Sequence, residues 1–292
     1  VAGYTSAMNR LPNHSARPPL PRLLPRAAAR SPVVWSLKTS QRVIIAGGCL
    51  GMTYTQLTMS PASIDFARSL GADGLHIGIL GALPVVTLLA QFASAVVVNH
   101  LRYRRWLWIS LSLVQRLVLV PLAAGPLLFP EASGMFWVWM LLLATGVNHL
   151  LLHFCSPLWM SWMGDLLPRE GLSSYWGWRH LFLQWASALS LVGAAIIVAQ
   201  SGLPIVWSFA VLIGLGAIAG VIDILLFLKV DEPPVEPHPQ PKLRQVLAGP
   251  FQNQQFRTFI GYTCFWNFAA MVGAPFLSLY MLWHVGTSLY AV

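Results

Sequence analysis

The sequence predicts an all-α protein whose helices cross a membrane several times. Hydrophobic residues make up 56% of the 292 residues, charged residues only 9%, and the mean hydropathy is +0.64. Apolar stretches of about eighteen residues or more, the length that spans the hydrocarbon core of a bilayer, recur along the chain. These three observations are typical of a polytopic helical membrane protein.

The basic segment at residues 1–36 precedes the first of these stretches. It contains five arginines, several prolines and no acidic residue. A segment of this composition cannot bury a core, so we predict a disordered N-terminal tail. A transit peptide and a start site placed too early would explain the same composition.

Seven apolar stretches are predicted to be transmembrane helices, and short polar turns or longer loops separate them. We expect residues 37–229 to form a six-span bundle and residues 258–292 to begin a second, incomplete bundle. Residues 230–257 form a polar cytoplasmic linker, whose five early prolines favour an extended start. The predicted spans are 42–67, 75–99, 106–128, 135–163, 178–200, 204–228 and 258–282.

The eighteen lysines and arginines are distributed unevenly between the two ends of the spans. Sixteen precede the first span or lie in the connections after the second, fourth and sixth spans; the exceptions are Arg68 and Arg116. Because cations collect on the cytoplasmic side, we predict a cytoplasmic N-terminus and a location in the cytoplasmic (inner) membrane. The same topology explains the net charge of +9, and we predict no nucleic-acid partner.

Glycines four residues apart predict close contacts between helices, because they let two backbones approach. Three such pairs occur in the predicted spans or at their ends. They are Gly47 with Gly51, Gly74 with Gly78, and Gly216 with Gly220.

Two stretches of the sequence carry recognisable motifs. The connection between the fourth and fifth spans contains Trp159, Trp162, Asp165, Leu166, Leu167, Pro168, Tyr175, Gly177 and Arg179. The start of the seventh span contains Phe256-Arg257-x-Phe259, Trp266, Pro275-Phe276 and Tyr280. On these motifs, residues 40–292 resemble the major facilitator superfamily. The chain departs from the family pattern where Val96 and His100 replace a glycine and an acid, and where Ser173-Ser174 replace Arg-Gly.

The resemblance implies a twelve-span transporter of two six-span halves, with the substrate held between them near the midplane. In that fold, spans one, four and seven line the central cavity. The polar residues of these spans are therefore the predicted substrate-binding residues: Thr53, Tyr54, Gln56, Asn148, His149, His153, Trp266 and Asn267. Hydrogen bonds between neighbouring helices would explain the same residues.

The histidines of the fourth span, His149 and His153, also have a spacing that suits metal ligation. No glutamate follows the first histidine, so we predict no metal site. We predict no cofactor either.

The predicted gating residues are Arg104, Arg105, Asp165, Arg169 and Arg179. Asp165 and Arg169 are four residues apart and would face each other on a helical turn. A cytoplasmic latch that forms in one state and breaks in another would use Asp165 with Arg104 or Arg105. The alternative is a solvated loop pair that contributes less than about 1 kcal/mol.

Two charged residues lie within predicted spans, where ionisable side chains are costly. Arg116 belongs to the third span, and a buried hydrogen-bonding role and anion binding both explain it. Asp223 lies close to the cytoplasmic end of the sixth span, where we favour a structural role.

The sequence contains no Walker loop and no dinucleotide-binding glycine pattern, and we predict that the protein is not an enzyme. We predict a secondary active transporter of a small neutral or anionic organic solute, driven by a proton or sodium gradient or by the solute's own gradient. Two alternatives stay open. One is a non-transporting membrane scaffold or assembly factor that retains the fold, and the other is an incomplete fragment of a longer transporter.

Overall fold

The computed structural model describes residues 37–59, 62–98, 100–200, 202–234 and 251–283, and the regular elements in these ranges are all helical. Short 3-10 turns at Thr87–Leu89 and Phe227–Lys229 accompany the α-helices. The helices are α1 (Leu37–Thr58), α2 (Ala62–Ser69), α3 (Gly74–Val86), α4 (Ala90–Val98), α5 (Arg105–Leu117), α6 (Val120–Leu128), α7 (Gly134–Leu166), α8 (Leu172–Gln200), α9 (Ile205–Leu226) and α10 (Gln254–Trp283).

Five helical segments are long and apolar enough to cross a membrane, and they correspond to the predicted spans two to six. The prediction of an all-helical membrane protein is confirmed. The segments are Gly74–Val98, Arg105–Leu128, Gly134–Leu166, Leu172–Gln200 and Ile205–Lys229. Helices α1 and α10 have 22 and 30 residues and are not among the five.

The predicted first span, 42–67, is wrong in its extent. Helix α1 ends at Thr58, and residues 62–69 form the separate helix α2. Pro61 stands between the two in the sequence, and helices tend to end before the residue that precedes a proline.

Prolines also interrupt the predicted third span. Helix α5 ends at Leu117, and Pro121 near the start of α6 has no backbone N–H to donate to the carbonyl of Leu117. The third span is therefore two helices, α5 and α6, rather than one.

Helix α3 begins at a well-formed cap. The Asp73 carboxylate accepts hydrogen bonds from the backbone N–H groups of Leu75 at 2.9 Å and His76 at 3.0 Å. The His76 ring nitrogen Nδ1 lies 2.6 Å from the same oxygen. The hydrogen bond from the His76 backbone, followed by the contact with its ring, lowers the pKa of Asp73.

Helices α1 and α9 approach closely at the predicted glycines. A Cβ added to Gly216 would stand 2.8 Å from the Thr58 side chain, and one added to Gly47 would stand 2.9 Å from the Asp223 Oδ1 atom. The prediction of close packing is confirmed for the pairs in α1 and α9. It is wrong for Gly74 and Gly78, because nothing lies within 4 Å of a Cβ built at either position.

Three apolar clusters form the core of the described helices. The first contains Trp108, Trp162 and Phe227, and the second contains Phe66 stacked on Phe209 with ring centroids 4.1 Å apart. The third and smallest consists of Leu57, Ala194 and Leu212. Buried polar residues of α5, α7 and α9 lie along these helices between the residues of the first two clusters: Ser112, Gln115, Asn148 and Asp223. This polar layer contains one part of the candidate site.

Candidate functional site

Arg104, immediately before α5, is completely buried although it carries a full charge. Its Nη1 atom lies 2.9 Å from Asp165 Oδ2 and donates to the Ser161 hydroxyl at 2.6 Å. Its Nε atom lies 3.7 Å from Glu232 Oε1. We call Arg104, Ser161, Asp165 and Glu232 the Arg104 cluster; it joins the start of α5, the end of α7 and the segment after α9.

Glu232 binds the backbone as well as the guanidinium. Its Oε1 atom accepts hydrogen bonds from the backbone N–H groups of Arg104 and Arg105, the latter at 3.0 Å. A carboxylate at this position satisfies free donors at the start of α5 and complements the helix dipole. The side chain of Glu232 is only 3% exposed, whereas that of Asp165 is 39% exposed. Glu232 is therefore the more deeply anchored of the two acids.

The segment after α9 has two further contacts with α5 and α7. The Trp162 indole N–H donates to the Asp231 carbonyl at 2.8 Å, and Arg105 Nη1 donates to the Val230 carbonyl at 3.4 Å. Sequence reasoning did not select Asp231 or Glu232. An available signal was the acidic pair directly after a predicted span, in a chain with only nine acidic residues.

The predicted gating residues are only partly brought together. Asp165 pairs with Arg104, whereas the Arg105 guanidinium binds a carbonyl. The expected facing of Asp165 and Arg169 is wrong, since α7 ends at Leu166 and no ion pair joins them in the described part of the chain. Pro168 explains the end of the helix, because Leu167 before it has an extended backbone with ψ of 134°.

Arg179, on α8, is held by aromatic rings. Its guanidinium carbon lies 4.8 Å from the centroid of the Trp159 ring and 5.2 Å from that of the Trp176 ring. Among the described residues no carboxylate pairs with it. Its Nε atom is buried and has no hydrogen-bond partner there.

The two intramembrane charges, predicted separately, form one ion pair. Arg116 Nη2 on α5 lies 2.8 Å from Asp223 Oδ2 on α9, and the side chains are 11% and 6% exposed. The Arg116 guanidinium also lies 4.3 Å above the Tyr54 ring of α1. The pair therefore ties three helices together in the polar layer.

A cavity of about 250 Å³ opens beside this pair. Residues of α1, α5, α7, α8 and α9 line it, and they include Arg116, Arg179 and Asp223. The other polar groups of the wall are the hydroxyl and amide groups of Thr55, Ser112, Gln115 and Ser156. Its large apolar side chains are those of Met52, Trp108, Leu152, Trp159, Leu183 and Phe227. Two guanidinium groups and one carboxylate give the described wall a formal charge of +1.

None of the predicted substrate-binding residues is among the residues that line this cavity. Tyr54 donates to the Gln115 carbonyl at 3.0 Å, and the Asn148 amide donates to the Tyr54 hydroxyl and to the same carbonyl. Gln56 donates to the Ser187 hydroxyl at 2.6 Å, and the Ser190 hydroxyl donates to Thr53 at 2.9 Å. These four predicted residues form hydrogen bonds between helices, and their role in substrate binding stays a prediction.

The predicted histidines lie side by side on α7, with ring centroids 6.2 Å apart. His153 Nε2 is 3.0 Å from the Pro84 carbonyl and Nδ1 is 3.5 Å from Gln91 Nε2, so the ring bridges α7 to α3 and α4. On α10, Trp266 and Asn267 are exposed, and Asn267 donates to the Thr263 carbonyl within its own helix. The structure does not bring the α10 residues together with the others.

Comparison with known proteins gives one family. The family model described as Major Facilitator Superfamily matches residues 20–291. No curated protein matches the chain. The match includes all the helices that the structure describes.

Proposed function

We propose that this chain, which belongs to the Major Facilitator Superfamily, is a secondary active transporter that carries a small organic solute by alternating access. Members of the family transport small solutes across membranes. The driving force we propose is a proton or sodium gradient, or the solute's own gradient, since the sequence contains no Walker loop for ATP.

We place the chain in the cytoplasmic membrane with its N-terminus inside, because sixteen of its eighteen cations fall on one side of the predicted topology. Residues 37–229 would form the N-terminal bundle, 230–257 a cytoplasmic linker, and 258–292 the start of a second bundle. Residues 235–250 of that linker lie outside the described residues.

We propose that lipid surrounds the outward apolar faces of the bundle. Leu89 on the second span, Leu189 on α8 and Ile218 on α9 are 67%, 67% and 61% exposed. Apolar side chains exposed over several whole helices suit a hydrocarbon solvent, in which the helical backbone satisfies its own hydrogen bonds.

The Arg104 cluster is the observation that carries the proposal of alternating access. A buried arginine without its carboxylates is strongly unfavourable, so the cluster favours a closed arrangement of α5, α7 and the segment after α9. Asp165 is 39% exposed, whereas Glu232 is nearly inaccessible and also holds two backbone N–H groups. We propose that the Arg104–Asp165 pair breaks when the cytoplasmic side opens, while Glu232 stays on Arg104.

The test measures access to Cys155, a buried residue that lines the cavity. In a Cys49→Ser, Cys264→Ser background, a maleimide applied from the cytoplasmic side should alkylate Cys155 faster when Asp165→Asn removes the pair. A partly exposed ion pair is worth about 1 kcal/mol, so the rate should rise about fivefold.

Glu170→Gln is the matched control, since Glu170 is exposed and has no ion pair with a described residue. It should leave the alkylation rate unchanged. Equal rates in the Asp165→Asn variant and its parent would contradict the proposed latch.

A further inference from the structure

We infer that the 250 Å³ cavity binds a small organic carboxylate, with Arg179 and Arg116 as its charge partners. The inference deepens the proposed function by naming a substrate class, and it rests on that function only for the claim that the bound carboxylate is also the transported solute. Binding itself requires only the cavity.

The charge of the wall is the first argument. Asp223 lies 2.8 Å from Arg116, whereas it acts on Arg179 only from beyond ion-pair distance, so the Arg179 guanidinium has no carboxylate of the described residues in direct contact. An unpaired charge inside a membrane protein is costly and marks a functional position. One monoanion would neutralise the wall, whereas a dianion would leave excess negative charge beside Asp223.

The second argument is that both guanidinium groups border the same stretch of α1. A Cβ added to Gly48 would stand 3.1 Å from Arg179 Nη2, and one added to Gly51 would stand 3.2 Å from Arg116 Nη2. The two glycines, one turn apart, therefore let both guanidinium groups lie directly against α1, and all four residues line the same cavity.

The third argument is the arrangement of donors. The Trp159 and Trp176 rings hold the Arg179 guanidinium, and the Nε atoms of both arginines are buried without a hydrogen-bond partner among the described residues. A planar guanidinium that is fixed in this way presents paired N–H donors, which match the two oxygens of a carboxylate.

The rest of the wall determines the body of the ligand. Trp108, Leu152, Leu183 and Phe227 offer apolar surface on several sides. The volume of about 250 Å³ is below the roughly 300 Å³ at which pockets for drug-sized molecules begin. A short aromatic or aliphatic acid fits these limits better than inorganic phosphate, which has no apolar part.

The test is calorimetric titration of the full chain in lipid nanodiscs with three probes. They are benzoate, its neutral isostere benzamide, and inorganic phosphate. Benzoate should bind, and benzamide should bind at least about tenfold more weakly, since a hydrogen bond to a charged group contributes that factor or more. Phosphate should also bind at least about tenfold more weakly, because it has no apolar part to pack against the wall. Benzamide or phosphate binding as tightly as benzoate would overturn the inference.

Three variants connect the binding to the cavity. Arg179→Gln should weaken benzoate binding at least about tenfold by removing the unpaired guanidinium. Gly48→Ala should weaken it by displacing the Arg179 guanidinium, because the added Cβ would stand 3.1 Å from Arg179 Nη2 and 2.9 Å from Leu183 Cδ1. Gly177→Ala is the control on α8, because nothing lies within 4 Å of its added Cβ, and it should bind like the parent. Unchanged binding in Arg179→Gln, in protein with an unaltered melting temperature, would overturn the inference.

Uptake into proteoliposomes separates this inference from the proposed function. Benzoate binding without transport of any carboxylate would support the site and contradict the substrate assignment. Transport of a carboxylate that Arg179→Gln leaves unchanged would support a transporter and overturn the site.

Discussion

Arg104 lies directly before α5, and Arg179 lies near the start of α8. Both guanidinium groups are shielded from solvent, but their positive charges are compensated in different ways. Two carboxylates, a hydroxyl and a backbone carbonyl surround Arg104. The Arg179 guanidinium lies against the faces of Trp159 and Trp176, and no carboxylate among the described residues forms an ion pair with it, although Asp223 acts on it from a longer distance. A fully compensated cluster favours one closed arrangement, whereas an uncompensated guanidinium beside a cavity favours binding of an anion.

Arg116 has one carboxylate partner, Asp223, and is therefore intermediate between Arg104 and Arg179. Breaking this pair gives the largest expected loss of stability. Asp223→Ala would leave Arg116 buried without its partner, and it should lower the free energy of unfolding by about 3–5 kcal/mol. The measurement is thermal unfolding in detergent. An Arg116→Met, Asp223→Ala double variant, which removes both charges, should recover much of the loss; a double variant that is less stable than Asp223→Ala would contradict this view of the pair.

Removal of Glu232, the buried acid of the Arg104 cluster, gives the next largest expected loss of stability. Glu232→Ala should cost about 2–3 kcal/mol, because it removes the acceptor of two backbone N–H groups and a charge partner of Arg104. The exposed Glu170 offers a control, and Glu170→Ala should change stability very little. Equal melting temperatures for the two variants would show that Glu232 does not anchor the cluster.

Overpacking the close contact between α9 and Arg116 gives a smaller expected loss of stability. Gly220→Ala would place a Cβ 2.5 Å from Arg116 Cδ and 3.0 Å from the Tyr54 ring, and this overpacking should cost about 1–3 kcal/mol. Gly214→Ala on the same helix meets nothing within 4 Å and should be neutral or stabilising by up to about 1 kcal/mol. Gly220→Ala should therefore lower the melting temperature, whereas Gly214→Ala should raise it or leave it unchanged.

The Asp73 cap gives the smallest effect and tests a region outside both arginine sites. Its folded-state pKa is lowered by the hydrogen bond from the His76 backbone, then by the contact with the His76 ring. A lowered carboxylate pKa contributes stability above the unfolded-state pKa of about 4, and that contribution is lost as the pH falls through the folded-state value.

The melting temperature should therefore fall slightly more between about pH 5 and about pH 3 in the parent than in Asp73→Asn, which keeps a capping side chain without titrating. The same pH dependence in both proteins would contradict a stabilising ionised cap.

Much of the fold could be predicted because its signals are local. An apolar stretch long enough to cross a bilayer determines a span by itself, and spans two to six were located in this way. The glycine pairs of α1 and α9 also carried a local signal for close packing. The same pattern at Gly74 and Gly78 was misleading, because nothing in the sequence states which face of a helix meets a neighbour.

The candidate site depended on contacts between distant parts of the chain. Arg116 and Asp223 are 107 positions apart, and Arg104 and Glu232 are 128 apart, so no spacing rule connects them. Polar residues such as Tyr54 and Asn148 were predicted from their type and from the resemblance, in which spans one and four line the central cavity. Their type cannot distinguish a cavity wall from a hydrogen bond between helices, and in the structure they bond to each other.

Uptake of radiolabelled small carboxylates into proteoliposomes, with protein-free liposomes to measure passive diffusion, tests the central claim most directly. The account predicts protein-dependent uptake under an imposed proton, sodium or solute gradient, and its loss in the Arg179→Gln variant. A correctly folded full chain that moves no solute under any of these gradients would contradict the proposal of a transporter.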